Sequence, residues 1–363
     1  MRDLVRIDDL NREEMERIFR LAEDMEVLRM MGSDLCKGRI LATIFYEPST
    51  RTRLSFESAM LRLGGEVLGF ADPQATSFVK EETLADTIHM VCNYADLIVI
   101  RHRWAGAAAL AAHHSSVPIV NAGDDSHQHP TQTLTDLYTL RKRGRRIEEL
   151  TVGIVGDLRY GRAAHSLAYG LAAYGARMIF IAPEGLEMPE EVCWRLQAEY
   201  RARFETVREP KEALPELDVI YMNRLQKERL PQDLDVSEVR RILAAYRLDP
   251  EMMKHARPDC LVMHPLPRVE EIARELDADP RAIYFEQSAN GVPVRMALMA
   301  ILLNRVDQPP LRGKVRTVRH LEEHVCQNPV CVTQQEPNNV PPQIEEPVDG
   351  RPMCAYCSQW VTV

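Results

Sequence analysis

Five consecutive side chains, Ser49-Thr50-Arg51-Thr52-Arg53, each offer a hydrogen-bond donor or a positive charge. An apolar run from Ile40 to Tyr46 precedes them and reads as a buried strand, and Leu54 to Leu63 follows and reads as a helix stopping at Gly64-Gly65. A Ser or Thr at a helix N-cap leaves backbone N–H groups pointing forward without intrahelical partners. Those donors, the positive end of the helix dipole and the two guanidiniums make a socket for a doubly charged phosphate. A Ser-capped helix with solvated arginines is the plainer alternative for an isolated S-T-R, and five donors in a row after a buried strand argue against it.

Donors and cations recur where other strands end. Arg101 and His102 follow Leu97–Ile100, and Asp124 to Thr133 follow Val117–Asn121. Gly156 to Arg162 follow Val152–Val155, Asn223 to Gln226 follow Val219–Met222, and His264-Pro265-Leu266-Pro267-Arg268 follow Leu261–Met263. Ligands of open α/β sheets sit at the carboxyl ends of strands, so the repetition predicts a polar cleft between two domains. Each residue also has a bland reading. His127 and His129 could be loop histidines or a metal pair, but only Asp124 and Asp125 lie near and no second metal motif accompanies them. Gly153-Ile154-Val155-Gly156 lacks dinucleotide spacing, and Asp157 would repel a pyrophosphate. Pro265 and Pro267 flank Leu266 and would hold its carbonyl in a fixed direction.

The elements that must carry these loops alternate between strand-like and helix-like segments along most of the chain. An N-terminal helix opens with Asn11 and Glu14 as a capping box. Segments alternate from Glu66 to Arg141 and again from Thr151 to Glu275, and an apolar helix covers Val292–Leu303. Alternation of this kind indicates parallel sheets covered by helices. Arg141 to Arg146 reads as a solvated helix end, and Val306 to Gly313 as a linker.

The chain's 363 residues exceed one ordinary core, so two domains plus an extension are expected. A net charge of −9 argues against nucleic-acid or membrane-surface binding, so an anionic substrate needs locally gathered arginines. No apolar run is long enough to span a bilayer and no signal-peptide core follows Met1, which makes a cytoplasmic enzyme the expectation. Cys36, Cys92, Cys193 and Cys260 are scattered, as buried small hydrophobes would be. Cys326-x₄-Cys331 and Cys354-x₂-Cys357 instead supply four thiolates at structural-zinc spacing. Disulfides are the alternative, which a cytosolic enzyme seldom keeps. A segment so small does not fold without its metal.

Ser49 to Arg53, Lys80 with Glu82-Thr83-Leu84, Arg101-His102, His129-Pro130-Thr131-Gln132-Thr133, Arg162, Arg224 with Gln226, and His264 to Pro267 together resemble the carbamoyltransferases in motif and order. The resemblance covers about Leu4 to Asn304. It is nearest the aspartate-specific catalytic chains, since ornithine-specific relatives usually carry cysteine where Pro265 stands. It implies transfer of the carbamoyl group of carbamoyl phosphate to L-aspartate, giving N-carbamoyl-L-aspartate and phosphate, a step of de novo pyrimidine synthesis. Carbamoyl phosphate would bind Ser49, Thr50, Arg51, Thr52, Ser77, Arg101, His129, Gln132, Pro265, Leu266 and Pro267. Thr52, Lys80, Arg101 and His129 would be the catalytic group, with Thr52, Arg101 and His129 polarising the carbamoyl oxygen and stabilising the oxyanion. Arg162, Arg224, Gln226 and Lys80 would hold the aspartate carboxylates, to which guanidinium is matched in bidentate geometry. No cofactor is needed for that chemistry.

The resemblance further implies that Ser77 and Lys80 reach a neighbouring subunit's site, so the working unit is expected to be a homotrimer. Glu81 stands where relatives usually have glycine, which puts a carboxylate beside Lys80 and removes a flexible position. The tail is similar to the zinc domain of the regulatory chain of these enzymes, fused here to the catalytic chain without the nucleotide-binding domain. A structural Zn²⁺ on Cys326, Cys331, Cys354 and Cys357 would then brace subunit contacts and support a higher assembly, with no nucleic acid or membrane among the partners. The expected fold class is α/β, two doubly wound parallel-sheet domains with a small zinc-binding extension. Residues 1–135 would bind carbamoyl phosphate and 136–290 aspartate, with a helix at 291–305 packing back on the first domain. Residues 306–316 would be a linker and 317–363 the tail.

Overall fold

The computed structural model describes residues 3–72, 77–225, 230, 235–346 and 351–362. The chain divides into two compact units, Met1–Leu134 with Gly291–Val363, and Thr135–Asn290.

In the first unit α1 (Arg12–Met31) precedes β1 (Ile40–Phe45), α2 (Thr50–Arg62), β2 (Glu66–Phe70), α3 (Leu84–Val91), β3 (Leu97–His102), α4 (Ala107–His114) and β4 (Ile119–Asp124), and α5 (Pro130–Lys142) runs on into the second unit. Asn11 and Glu14 form the predicted capping box at the start of α1. The strands order β2-β1-β3-β4, every pair parallel. Parallel strands are covered on both faces, which is why β1 and the first four residues of β3 are largely apolar and buried. The order reverses direction between β1 and β3, and the loop of Ser49 leaves one of these strands while Arg101 ends the other.

The second unit follows with β5 (Thr151–Val155), α6 (Arg162–Tyr174), β6 (Arg177–Ile181), α7 (Glu190–Tyr200), β7 (Arg203–Val207), α8 (Pro210–Ala213), β8 (Val219–Met222), α9 (Val236–Ala245) and β9 (Leu261–Met263), and α10 (Tyr284–Leu302) crosses back into the first unit. Its parallel sheet orders β7-β6-β5-β8-β9, reversing between β5 and β8. The fold is therefore two parallel-sheet α/β units, as the alternation predicts.

Three elements depart from the sequence reading. β7 is an exposed edge strand with polar Arg203, Glu205 and Thr206, so it carries no apolar alternation to find. Val269–Glu275 forms only the start of a short 3₁₀ turn, Arg274–Ala278. α10 starts eight residues before Val292 and contains Pro293 in its interior, a residue that in isolation marks a helix start.

Beyond α10 the chain is held down at once. The Arg312 and Gly313 N–H groups donate to Glu14, Lys314 N–H to the Asp9 carbonyl, and Leu311 is buried. The tail that follows contains β10 (Val318–His320), α11 (Val332–Gln335), β11 (Gln343–Glu345) and β12 (Met353–Cys354), the strands forming an antiparallel sheet. Val332, Val340, Ile344, Tyr356 and Val361 share one apolar cluster with Ile88 of α3, Ala108 and Leu110 of α4 and Ile98 of β3. The tail thus completes the first unit's core. The tail packs tightly at Gly106, whose φ is +84° and where a Cβ would stand 2.6 Å from that of Tyr356.

Candidate functional site

α2 begins as the sequence requires. Ser49 is the N-cap in extended conformation, and Thr50, Arg51 and Thr52 form the first turn, which carries no acidic residue to compete with an anion. The Ser49 side chain makes no capping bond to the helix, so its hydroxyl is not spent on the N–H groups there. Arg51 is exposed, and burial of its guanidinium base shifts it only downward from its ordinary range. Arg53 differs from its neighbours. Its Nε lies 3.1 Å from Glu57 Oε1 one turn on, so it is a helix-surface ion pair and only Arg51 fronts the helix end.

Thr52 is buried, and its Oγ1 lies 3.5 Å from Nε2 of His129, which is also buried and stands immediately before α5. Two residues proposed from separate stretches as carbonyl polarisers thereby converge. Arg101, in β3, holds its guanidinium between the Ala122 carbonyl, 3.2 Å away, and Glu47, 3.4 Å away. Glu47 was not singled out from sequence, although it lies two residues before Ser49. His102 faces the opposite way into the core. It lies between the tilted rings of Tyr46 and Trp104, accepts the Trp104 N–H on Nδ1, and burial pushes it down to about 3, so it stays neutral. Gln132 is in the first turn of α5.

Lys80 closes a 3₁₀ turn, Ser77–Lys80, and is exposed. Glu81 next to it has φ +63°, the left-handed region that favours glycine. Thr83 then caps α3 by accepting the Asp86 N–H.

Arg295 is a residue the sequence reading missed. It is 4% exposed within the otherwise apolar half of α10. Its guanidinium lies over the Phe56 ring, donates to Ser55 of α2 at 3.0 Å and reaches Thr131 of α5 at 3.5 Å. It ties together the two helices whose N-termini carry Thr52 and His129. A lone arginine in an apolar helix was the signal available.

In the second unit, Arg162 is the first residue of α6 after β5, and Arg224 is exposed two residues after β8. The two arginines therefore leave the pair of strands between which that sheet reverses, the position where open α/β sheets bind ligands. Gln226 lies outside the described residues. Pro265, Leu266 and Pro267 follow β9, and Leu266 has φ +55°, unusual for a branched-chain residue.

A hydrogen-bond chain supports that turn. His264 Nδ1 accepts the Leu266 N–H at 2.7 Å, so its proton is on Nε2, which donates to Glu271 at 2.8 Å. The second Glu271 oxygen accepts the Val269 and Glu270 N–H groups. The His264 N–H donates to Gln287, which donates to Asp136, which also accepts from Tyr221. Burial works to raise Glu271, yet the bonds from His264 and the backbone outweigh it and leave its carboxyl below the ordinary range.

In the tail, Cys326 Sγ lies 3.6 Å from Cys357 Sγ and Cys331 Sγ 3.8 Å from Cys354 Sγ, and all four sulfurs lie within 4.8 Å of one another. A disulfide needs about 2.05 Å. Four thiolates around a tetrahedral ion at about 2.3 Å have edges of about 3.8 Å, so the cluster fits a thiophilic metal. All four are buried.

Comparisons with known proteins bear on the family of the two parallel-sheet units. Residues 2–142 match the family model "Aspartate/ornithine carbamoyltransferase, carbamoyl-P binding domain", and residues 148–302 match its "Asp/Orn binding domain". The aspartate carbamoyltransferase catalytic subunit of Thermococcus kodakarensis is 49% identical over 304 residues, 83% of this chain and 97% of the relative. That of Chromobacterium violaceum is 48% identical over 302 residues, 83% and 97% respectively. Among solved structures, the catalytic subunit of M. jannaschii aspartate transcarbamoylase superposes with a TM-score of 0.77 at 44% identity, covering 84% of this chain and 98% of that one. The Trypanosoma cruzi aspartate transcarbamoylase in complex with carbamoyl phosphate and aspartate gives 0.77 at 34% identity, covering 82% and 94%. Two family models that between them span both sheets, and relatives matched over nearly their whole length, establish that the chain belongs to the aspartate/ornithine carbamoyltransferase family.

Proposed function

We propose that the chain is an aspartate carbamoyltransferase, moving the carbamoyl group of carbamoyl phosphate to the amine of L-aspartate and releasing N-carbamoyl-L-aspartate and phosphate, in the cytoplasmic synthesis of pyrimidines. The observation that carries this reading is that each parallel sheet has, at its own reversal point, residues suited to anions: a donor-rich helix N-terminus in the first and two arginines in the second. The phosphate sits on the α2 N-terminus with Ser49, Thr50, Arg51 and Thr52. Thr52, Arg101 and His129 donate to the carbamoyl oxygen and hold the negative charge it gains as the amine attacks. Gln132 and the carbonyls of Pro265 and Leu266, continued by Pro267, orient the carbamoyl NH₂. Arg162, Arg224 and Gln226 hold the two aspartate carboxylates. The C–N bond forms, the C–O bond to phosphate breaks, and the amine's proton leaves with the phosphate. Rate enhancement is then positioning and electrostatics.

The working unit is a homotrimer, with Ser77 and Lys80 of one subunit closing the neighbour's site, and a higher assembly forms through the tail. Cys326, Cys331, Cys354 and Cys357 hold a structural Zn²⁺, a reading supported by sulfur spacings that suit a tetrahedral Zn–S₄ site and exceed a disulfide bond length. Bound zinc cross-links the tail, a segment too small to keep its shape by burial alone.

The test is formation of carbamoyl aspartate by purified protein, with zinc content and assembly mass read on the same sample. Arg101→Ala should lower kcat by about 100-fold or more, the usual cost of one oxyanion donor. Turnover with ornithine but not aspartate, or an active Arg101→Ala variant, overturns the reading. A monomeric mass overturns the shared site.

A further inference from the structure

One cluster in the first unit is used by nothing described so far. Ser358 follows the cysteine ligand Cys357, has φ +60°, and donates its N–H to the Cys354 carbonyl at 3.0 Å. Its conformation is therefore set by the cysteine turn. Its hydroxyl accepts from Arg6 at 2.9 Å and lies 3.2 Å from His127 Nε2, whose Nδ1 lies 2.9 Å from Asp124. Ser358, His127 and Asp124 are 8%, 7% and 1% exposed. The order Ser–His–Asp is that of a hydrolase triad. Here the serine oxygen is buried and already holds Arg6, so the arrangement serves geometry, not attack.

Its far end is the loop that leads to His129. Besides His127, Asp124 accepts the Gln128 N–H at 3.1 Å, the Gly106 N–H at 2.8 Å and the Asn121 side chain at 2.8 Å. Gln128, the residue before His129, is gripped from a second direction. It accepts the Ile7 N–H and donates to Asp8, which in turn pairs with Arg316 at the entry to the tail. Two hydrogen-bonded routes thus run from the tail to the residue that precedes His129. One starts one residue past a metal ligand.

We propose that Ser358 and His127 are positioning residues that let the metal-bound tail fix the His129 loop of its own subunit, so that tail order sets affinity for carbamoyl phosphate. The proposal rests on the reading of activity given above.

Ser358→Gly is the informative substitution. Glycine relaxes at φ +60°, which offsets the loss of the hydroxyl's bonds to Arg6 and His127, so a merely structural role predicts a small change in melting temperature and unchanged carbamoyl phosphate affinity. The proposal predicts that zinc-loaded Ser358→Gly keeps its metal and melting temperature yet binds carbamoyl phosphate about three- to tenfold more weakly by calorimetry, the worth of one internal hydrogen bond. The KM for aspartate at saturating carbamoyl phosphate stays unchanged. His127→Gln should show a similar loss, and the double variant less than the product of the two, because both cut one chain. Carbamoyl phosphate bound as tightly by both zinc-loaded variants as by the unmodified protein overturns the proposal. Failure of the unmodified protein to bind carbamoyl phosphate overturns the activity and this proposal together.

Discussion

At the residue scale, charge and strain separate positions that composition treats alike. Burial pushes the thiols of Cys36 and Cys193 up to about 11 and that of Cys260 up to about 12. Burial acts the same way on Cys92, but bonds from Ser115 and Ser116 outweigh it and leave that thiol below its ordinary value. Thiolate is the reacting form. Among these four, Cys92 should therefore be the first labelled by a disulfide reagent at pH 8, as peptide mapping of the zinc-loaded protein would show, and its replacement by serine should remove the fast phase. Glu81 is the second case. A side chain in the left-handed region costs about 1–2 kcal/mol, and this one also sets a carboxylate beside Lys80. Glu81→Gly should leave the melting temperature equal or higher and lower the KM for carbamoyl phosphate several-fold. A raised KM would show that the acid is part of the loop's function.

At the element scale, the turn after β9 and the start of α4, where the tail packs, each depend on one supporting feature. Glu271 has its pKa below the ordinary 4.5, so the unfolded chain binds the proton more readily than the folded one. Its contribution to stability is fully present above that ordinary value and is lost as pH falls through the depressed folded one. Glu271→Gln should flatten the loss of stability below about pH 5, read as urea midpoints at stepped pH, while weakening the hold on His264 and the Leu266 carbonyl. Equal acid slopes in the two proteins would remove Glu271 from the account. Gly106 serves the other element. Its φ and the proximity of Tyr356 leave no room for a methyl group. Gly106→Ala should cost about 1–3 kcal/mol and expose the tail to limited proteolysis ahead of the two sheets.

For the whole molecule, the tail is internal architecture of the first unit. Besides the shared apolar cluster, Glu336 accepts the N–H groups of Leu84 and Ala85 at the start of α3, at 2.5 and 3.4 Å. The Asn339 carbonyl meets His114 at the end of α4, and Arg6 and Arg316 pair with Glu345. A carboxylate at a helix N-terminus is favourable, so the tail stabilises α3 electrostatically as well as by burial. On the proposed Zn–S₄ reading, a chelator should release zinc, lower the melting temperature and raise hydrogen exchange in α3 and α4, not only in the tail. Exchange confined to residues 317–363 would mean that the two are uncoupled.

The sequence by itself determined the local chemistry. Strand–helix alternation, the donor run after β1, the paired arginines after β5 and β8 and the cysteine spacing are all set by residues near one another in the chain, where period and composition act directly. Strand order, which puts those loops at the reversal point of each sheet, belongs to long-range pairing that no local pattern encodes. The same limit hid Arg295, whose partners are Ser55 and Thr131, and the chain from Ser358 through His127 to Asp124, whose ends are more than 200 residues apart. It also hid where the tail packs, because an apolar residue announces that it will be buried but not against what. Only the tertiary structure put the strand that leads to Ser49–Thr52 into one apolar cluster with the four cysteines of the tail.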